Sequence, residues 1–345
     1  MAVYTPIDDA GSYFNTKLYT GTGSSNAQTG VGFQPDFTWI KNRDATDFHV
    51  LTDAVRGATN YIVSDSTAAE VTNAESLKSF DSDGFTVGTM NEVNTNTEAF
   101  VAWNWKANGA GSSNTDGSIT STVSANTTAG FSIVSYTGTG SAATIGHGLG
   151  VAPNFIITKS LVATQEWGVY HSALGATKYL FLDETSAAGT NSAYWNDVEP
   201  DSSVFTIGTS GPTNSTSAMI AYCFAEKQGF SKFGSYVGNG NADGTFVYTG
   251  FRPAFLLSKM SDGIQGWFLI DDKRAYPYNP VDGSLHPNAN AAEDTSSDFF
   301  VDFTSNGFKC RDNDAQLNGD GGTYIYMAFA ESPFVNSEGV PTNAR

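Results

Sequence analysis

"GFQPDFTWIK", residues 32–41, is written again as "GVAPNFIITK" at 150–159 and as "GFRPAFLLSK" at 250–259. Four landmarks hold in all three copies: Gly32, Pro35, Phe37 and Lys41; Gly150, Pro153, Phe155 and Lys159; Gly250, Pro253, Phe255 and Lys259. Gly and Pro open a strand, alternating apolar residues such as Phe37 and Trp39 feed a core, and the Lys closes it.

Working outward, the other pieces recur in the same order. A Gly followed by an aromatic comes first (Gly11-Ser12-Tyr13, Gly130-Phe131, Gly229-Phe230), then a Tyr-x-Gly-x-Gly turn at Tyr19, Tyr136 and Tyr236. After the landmark strand stand "FHVLTDA" (48–54), "WGVYHSA" (167–173) and "WFLIDDK" (267–273). The first two copies continue as "RGATNYIVSD" and "LGATKYLFLD", where the third carries the Pro-rich "RAYPYNPVDGSLHP" (274–287). Late in each copy lie "DSDGFTVGT" (81–89), "PDSSVFTIGT" (200–209) or "FTSNGFKCRD" (303–312). A closing strand ends each copy: "AFVAWNWKA" from Ala99, "AMIAYCFAE" from Ala218, "TYIYMAFAE" from Thr323.

From Trp105 to Phe224 to Phe329 the period is 119 and then 105 residues. Propeller blades and solenoid repeats are shorter, so this period predicts tandem whole domains. The boundaries fall at 1–107, at 108–227 and at 228–345. The Gly-, Ser-, Thr- and Asn-rich stretch 107–130 reads as an extended or flexible connector. Only Lys227 and Gln228 separate the second and third copies, which predicts a rigid pair.

About seven short runs of Val, Ile, Thr and aromatic residues fall in each copy, bounded by Gly, Asn, Asp and Pro. The expected fold is all-β: three tandem β-sandwich or jelly-roll-like domains related by internal repeat. Residues 66–80 are the best helical candidate, for one or two turns. In the closing strand, Val101, Trp103 and Trp105 share one face, as do Ile220, Tyr222 and Phe224, and Ile325, Met327 and Phe329. The other face carries mostly small residues, such as Ala102 and Asn104, Ala221 and Cys223, or Tyr326 and Ala328. Three large side chains per copy are thus expected in that copy's core.

The 345 residues are 40% hydrophobic and 15% charged, with 36 Gly, the composition of an ordered, turn-rich β protein. A formal charge of -18 with scattered Lys and Arg repels phosphate backbones and anionic lipid. Nucleic-acid binding and membrane insertion are not expected, and the N-terminal stretch carries no export signal. Cys223 and Cys310 lie in apolar runs and read as unpaired, buried thiols.

Candidate chemistry is sparse. His49, His147, His171 and His286 lack metal or nucleophile spacing and read as structural. Acidic residues in "DSDG" at Asp81, "DDKR" at Asp271 and "DNDAQLNGDGG" at Asp312 read first as turn chemistry, with a bound Ca²⁺ or a glycosidase pair as the weaker alternatives. Most tryptophans sit at repeat positions and read as core, while Trp195, in "SAYWNDVEPDSS", reads as the exposed candidate for a sugar platform. No catalytic, cofactor or metal residue is assigned.

Taken together, "SFDSDGFTVG", "FVAWNWKA", "GSITSTVSANTTAGFSIVSYTG", "TIGHGLGVAPNFIITK", "YHSALGATKYLFLD", "GFSKFGSYVGNGNADGTFVYTGFRPAFLLSK" and "GGTYIYMAFAESPF" resemble the repeat-bearing virion structural, tail-fibre-like proteins of marine tailed bacteriophages such as cyanophages and pelagiphages. The resemblance covers about Thr5 to Phe334. It implies a non-enzymatic virion protein, a tail or fibre component or a capsid decoration, synthesised in the host cytoplasm and contributing to host attachment. Its partners would be other virion proteins and a host glycan or receptor, and a homo-oligomer, a trimer first, is expected from symmetry. The alternatives are a carbohydrate-binding adhesin, lectin-like and Ca-assisted, and a polysaccharide depolymerase.

Overall fold

The computed structural model describes residues 4–274, 279–296 and 300–342. Residues 275–278 of the third copy's Pro-rich stretch lie outside the described residues. The chain is all-β and antiparallel, and each sheet is built from strands of one copy.

In the first copy, strand Phe14–Thr20 pairs with the closing strand Ala99–Trp105. The closing strand pairs on its other side with the landmark strand Phe37–Asn42, followed outward by Val50–Asp53, Asn60–Val63 and Val71–Thr72. The second copy repeats the order with Phe131–Thr137, Ala218–Phe224, Phe155–Ser160, Gly168–His171 and Lys178–Phe181, and the third with Ser231–Val237, Thr323–Pro333, Phe251–Met260 and Trp267–Asp271. A smaller sheet accompanies each: Asn26–Thr29 with Gly84–Val87 and Leu77–Asp81; Ala143–Gly146 with Val204–Ile207; Phe246–Tyr248 with Gly307–Cys310 and Val301–Thr304.

The opening landmark owes its Gly to backbone geometry. Gly32, Gly150 and Gly250 have φ of 91°, 71° and 83°, a region that costs any side chain strain. All six residues of Phe37–Asn42 are buried, as are those of Phe155–Ser160, so this strand is central and covered on both faces. The Lys that closes it is fully buried in every copy.

Where the large side chains go differs from the sequence expectation. Val101, Trp103 and Trp105 do not face the small sheet of their own copy. They join Ile220, Tyr222 and Phe224, together with Ile325, Met327 and Phe329, in one cluster shared by all three copies. The rings of Trp105, Phe224 and Phe329 meet pairwise at centroid distances of 6.2, 5.7 and 6.1 Å. The smaller face does the local packing. Phe100 and Ala102 close the first copy's own core with Phe85 and Val87, while Met219, Ala221 and Cys223 close the second copy's with Phe205 and Ile207. In the third copy the local core is continuous with the shared one, through Tyr324, Tyr326 and Phe308.

One further expectation is narrowed and another is corrected. The connector takes the extended form of the two expected and not the flexible one: Ser112–Asn114 and Ser121–Asn126 extend the second copy's large sheet, and Ala107 and Gly109 donate their N–H groups to Asp36. Val123, buried between polar neighbours, gives that strand its apolar face. Residues 66–80 hold no helix. Asn73 accepts from the N–H of Glu75 and Ser76 turns back onto its carbonyl, while β-branched Val71 and Thr72 pair as a short strand.

Candidate functional site: the seams between the copies

The histidines, acids and tryptophans singled out from the sequence do not converge on one cleft. Several of them lie at the seams between copies, and the seams repeat in cyclic order.

At the edge of each large sheet a backbone N–H crosses to the next copy: Glu70 to the Leu161 carbonyl at 2.9 Å, Ala188 to Ser261 at 2.8 Å, and Glu293 to Arg43 at 2.8 Å. First joins second, second joins third, and third joins first. The indoles at the head of the fourth strand point back the other way. Trp167 donates to the Val63 carbonyl at 3.0 Å and Trp267 to the Phe181 carbonyl at 2.8 Å. In the first copy the same place is held by His49, whose ring takes the Trp39 N–H at 3.0 Å and lies against the main chain of His286.

Two of the three landmark lysines bond across these seams. Lys159 Nζ donates to Gln165 and to Thr67 of the first copy at 2.6 and 2.8 Å, and Lys259 Nζ to Met260 and to Thr185 of the second at 2.5 and 3.3 Å. Lys41 Nζ caps Asn42 and Ala45 at 2.7 and 3.1 Å. Burial pulls each of these ammonium groups down to about 8. Burial likewise pushes the neighbouring Asp65 and Asp183 carboxyls up to about 6. Asp65, Asp183 and Asn288 each accept the N–H that begins the fourth strand, at 3.2, 2.9 and 2.7 Å, so Asn288 stands in for the acid in the third copy.

A second set of bonds surrounds the shared core. Asp53 takes the Tyr222 hydroxyl of the second copy at 2.8 Å, and Asp271 takes the Trp103 indole of the first at 2.9 Å. Each acid is tied to an Arg three residues on, Arg56 at 2.5 Å and Arg274 at 2.6 Å. Those Arg reach Glu70 and Glu293 at 2.9 and 2.8 Å. The second copy replaces the whole trio with His171, Leu174 and Ala188. His171 takes the Ala173 N–H at 3.0 Å and donates to the Tyr326 carbonyl of the third copy at 3.1 Å. The Asp–Arg–Glu trio is thus absent from this seam as a set, so none of its three members is left there without the others.

The remaining candidates are also accounted for. His147 lies between the Leu149 N–H and the Asp201 carbonyl, and His286 is held near the Trp267 carbonyl. Asp81 accepts from Ser79 and Thr86, and Asp312 from the Asp314 N–H, as turn chemistry requires. Trp195 is 1% exposed and packs edge-on against Tyr170, so it offers no sugar platform. Its place in "SAYWNDVEPDSS" misled because the Trp ends a one-turn helix whose apolar side faces inward. Cys223 and Cys310 are free and buried.

Sequence reasoning missed a repeated Asn. Asn94, Asn214 and Asn318 each accept an N–H from the Tyr-x-Gly-x-Gly turn, at 2.8, 2.7 and 3.0 Å, and return their own amides to nearby carbonyls. The Tyr hydroxyls of 19, 136 and 236 donate to the residue just before that Asn, at 2.6, 2.6 and 2.8 Å. The signal was available as an Asn ten or eleven residues before Trp105, Phe224 and Phe329.

The class of protein is therefore an all-β chain whose three copies close cyclically on one shared aromatic core. It belongs to the family described as a domain of unknown function (DUF7483), whose model matches residues 9–333 and so spans all three copies. No curated protein matches the chain. Among the described residues no helix is long and apolar enough to cross a membrane, and no group of three or more His, Cys, Asp or Glu is placed to hold a metal ion.

Proposed function

We propose that the protein is a non-enzymatic bacteriophage virion component built from three β-sandwich units, one per sequence copy, and mounted on the tail, a fibre or the capsid exterior. The observation that carries this reading is the cyclic closure of the copies. A chain that repeats one unit about a common axis presents near-equivalent loops in three directions, the geometry suited to docking on symmetric neighbours. The resemblance of its long sequence phrases to virion proteins of marine phages points the same way. Its partners would be neighbouring virion proteins, with weak contacts to the host surface multiplied by copy number. A homotrimer is part of the proposal and is read by the mass of the purified protein.

The test is to purify phage particles encoding the protein and look for it by mass spectrometry and by gold labelling. Stoichiometric presence in purified particles is expected. Presence in infected-cell lysate with absence from particles would overturn the reading.

A further inference from the structure

The copies differ on the outward face of the small sheet. In the first copy, the outward positions of the edge strand are Ala27 and Thr29, opposite Thr86 and Gly84. In the second they are Thr144 and Gly146, opposite Thr206 and Val204, and the connector lies over them through Ser118, whose N–H donates to Thr144. In the third the same positions are Phe246 and Tyr248, opposite Lys309 and Gly307. They are 47% and 56% exposed, and Val247 between them is buried.

We propose that this face of the third copy is a glycan-binding platform that takes a neutral polysaccharide. Two aromatic residues two apart on one strand stand roughly 7 Å from each other, a spacing one short run of sugar rings can cover. Glycine lets them lie low on the sheet: the Phe246 ring reaches over Gly307, where a Cβ would meet it at 3.1 Å, and Tyr248 reaches along Gly250. The Tyr4 hydroxyl, donating to the Gly250 carbonyl at 2.8 Å, borders the Tyr248 end. One and two strands over, Lys309, Asp302 and Thr304 share the outward face. Lys309 pairs with Asp243, and Arg311 with Asp302 at 3.5 Å. Apolar rings flanked by neutralised donors and acceptors match a pyranose, which has an apolar C–H face and a rim of hydroxyls.

Area and charge decide against other occupants. A Phe or Tyr side chain brings ~150–250 Å², so the half-exposed pair offers roughly 200 Å², well short of the ~800 Å² per partner of a stable protein interface. A chain of charge -18 repels an anionic polymer, which leaves the neutral polysaccharides. The inference deepens the virion-surface reading by giving it a ligand, and the two fail separately. Gel binding by a protein absent from particles keeps the platform and removes the virion role, whereas the reverse result removes only the platform.

The test is native affinity electrophoresis of the full chain in gels containing laminarin, xyloglucan or dextran, with alginate as the anionic comparison. The variant F246A/Y248T carries the residues that the first copy uses at the same positions, so its fold is expected to hold, as read by near-UV circular dichroism. Retardation in at least one neutral gel, weakened at least about tenfold in the variant, is the expected result. Should the double variant lose its fold, Phe246→Ala alone is read against the same threshold. The proposal is overturned by no retardation in any neutral gel, by equal retardation of variant and parent, or by retardation in alginate alone. It is equally overturned if sedimentation shows a dimer that the variant dissolves, since the face would then serve a second copy.

Discussion

Replacing Arg56 by Leu should cost the protein about 3–5 kcal/mol, and replacing its two partners at the same time should recover much of that loss. The Arg56 and Asp53 side chains are 3% and 0% exposed. Besides Asp53, the guanidinium serves Glu70, the Leu51 carbonyl and the Tyr222 hydroxyl, at 2.9, 3.0 and 3.2 Å. In R56L, Asp53 keeps the Tyr222 hydroxyl and the N–H groups of residues 55 and 56, but it loses its counter-ion inside a low-dielectric core. That uncompensated charge is the source of the penalty. The triple variant D53H/R56L/E70A installs the set that the second copy already carries as His171, Leu174 and Ala188. None of the trio's charges then remains, and the new imidazole faces Tyr222. Urea denaturation at pH 7.5 should place the triple variant at least about 2 kcal/mol above R56L, with unchanged m-values. A triple variant no more stable than R56L, or an R56L that loses less than about 1 kcal/mol, would refute the claim that the Asp–Arg–Glu trio is kept or lost as a set.

Two more predictions follow from burial. Trp195→Ala should destabilise the protein by about 3–5 kcal/mol through the cavity it leaves beside Tyr170, and leave polysaccharide retardation of the surviving folded protein unchanged. Loss of retardation with no loss of stability would restore Trp195 as a ligand residue. Burial lowers the His171 pKa to about 4, against the opposing pull of the Tyr326 carbonyl. Between pH ~6.5 and ~4 the unfolded chain then binds a proton that the folded chain refuses. The His171 contribution is complete above pH ~6.5 and falls by up to about 3 kcal/mol as the pH drops to ~4. Urea denaturation at pH 7.5 and 4.5 should show parent protein losing more on acidification than His171→Gln, and equal losses would contradict the sign.

The sequence made the strands legible because they repeat with period two, and Trp103 and Trp105 could be placed on one face of the closing strand from spacing alone. Spacing could not say what that face meets. Period two separates two faces without naming the neighbour of either, and the large face found the other copies while the small one found the local sheet. Lys41 shows the same limit. Read as a strand terminator, it is a buried residue whose counterparts Lys159 and Lys259 bond across seams, and its return in a Lys-poor chain was the available clue. The joint change from Asp53 and Arg56 to His171 and Leu174 was also visible in "DAVRG" against "HSALG". Its meaning depends on Glu70 and Tyr222, which only the folded chain brings to the same place. The outward pair Phe246 and Tyr248 escaped notice because alternation around a buried Val247 looks the same whichever face is wet.

The central claim is that the three copies form one cooperative body around a shared core. Differential scanning calorimetry of the full chain tests it most directly. At ~0.7 kcal/mol per residue, 345 residues melting together give a van't Hoff enthalpy of about 240 kcal/mol, equal to the calorimetric one, in a single transition. Separate transitions of about 80 kcal/mol each would mean that the copies fold as independent domains, and would contradict the account.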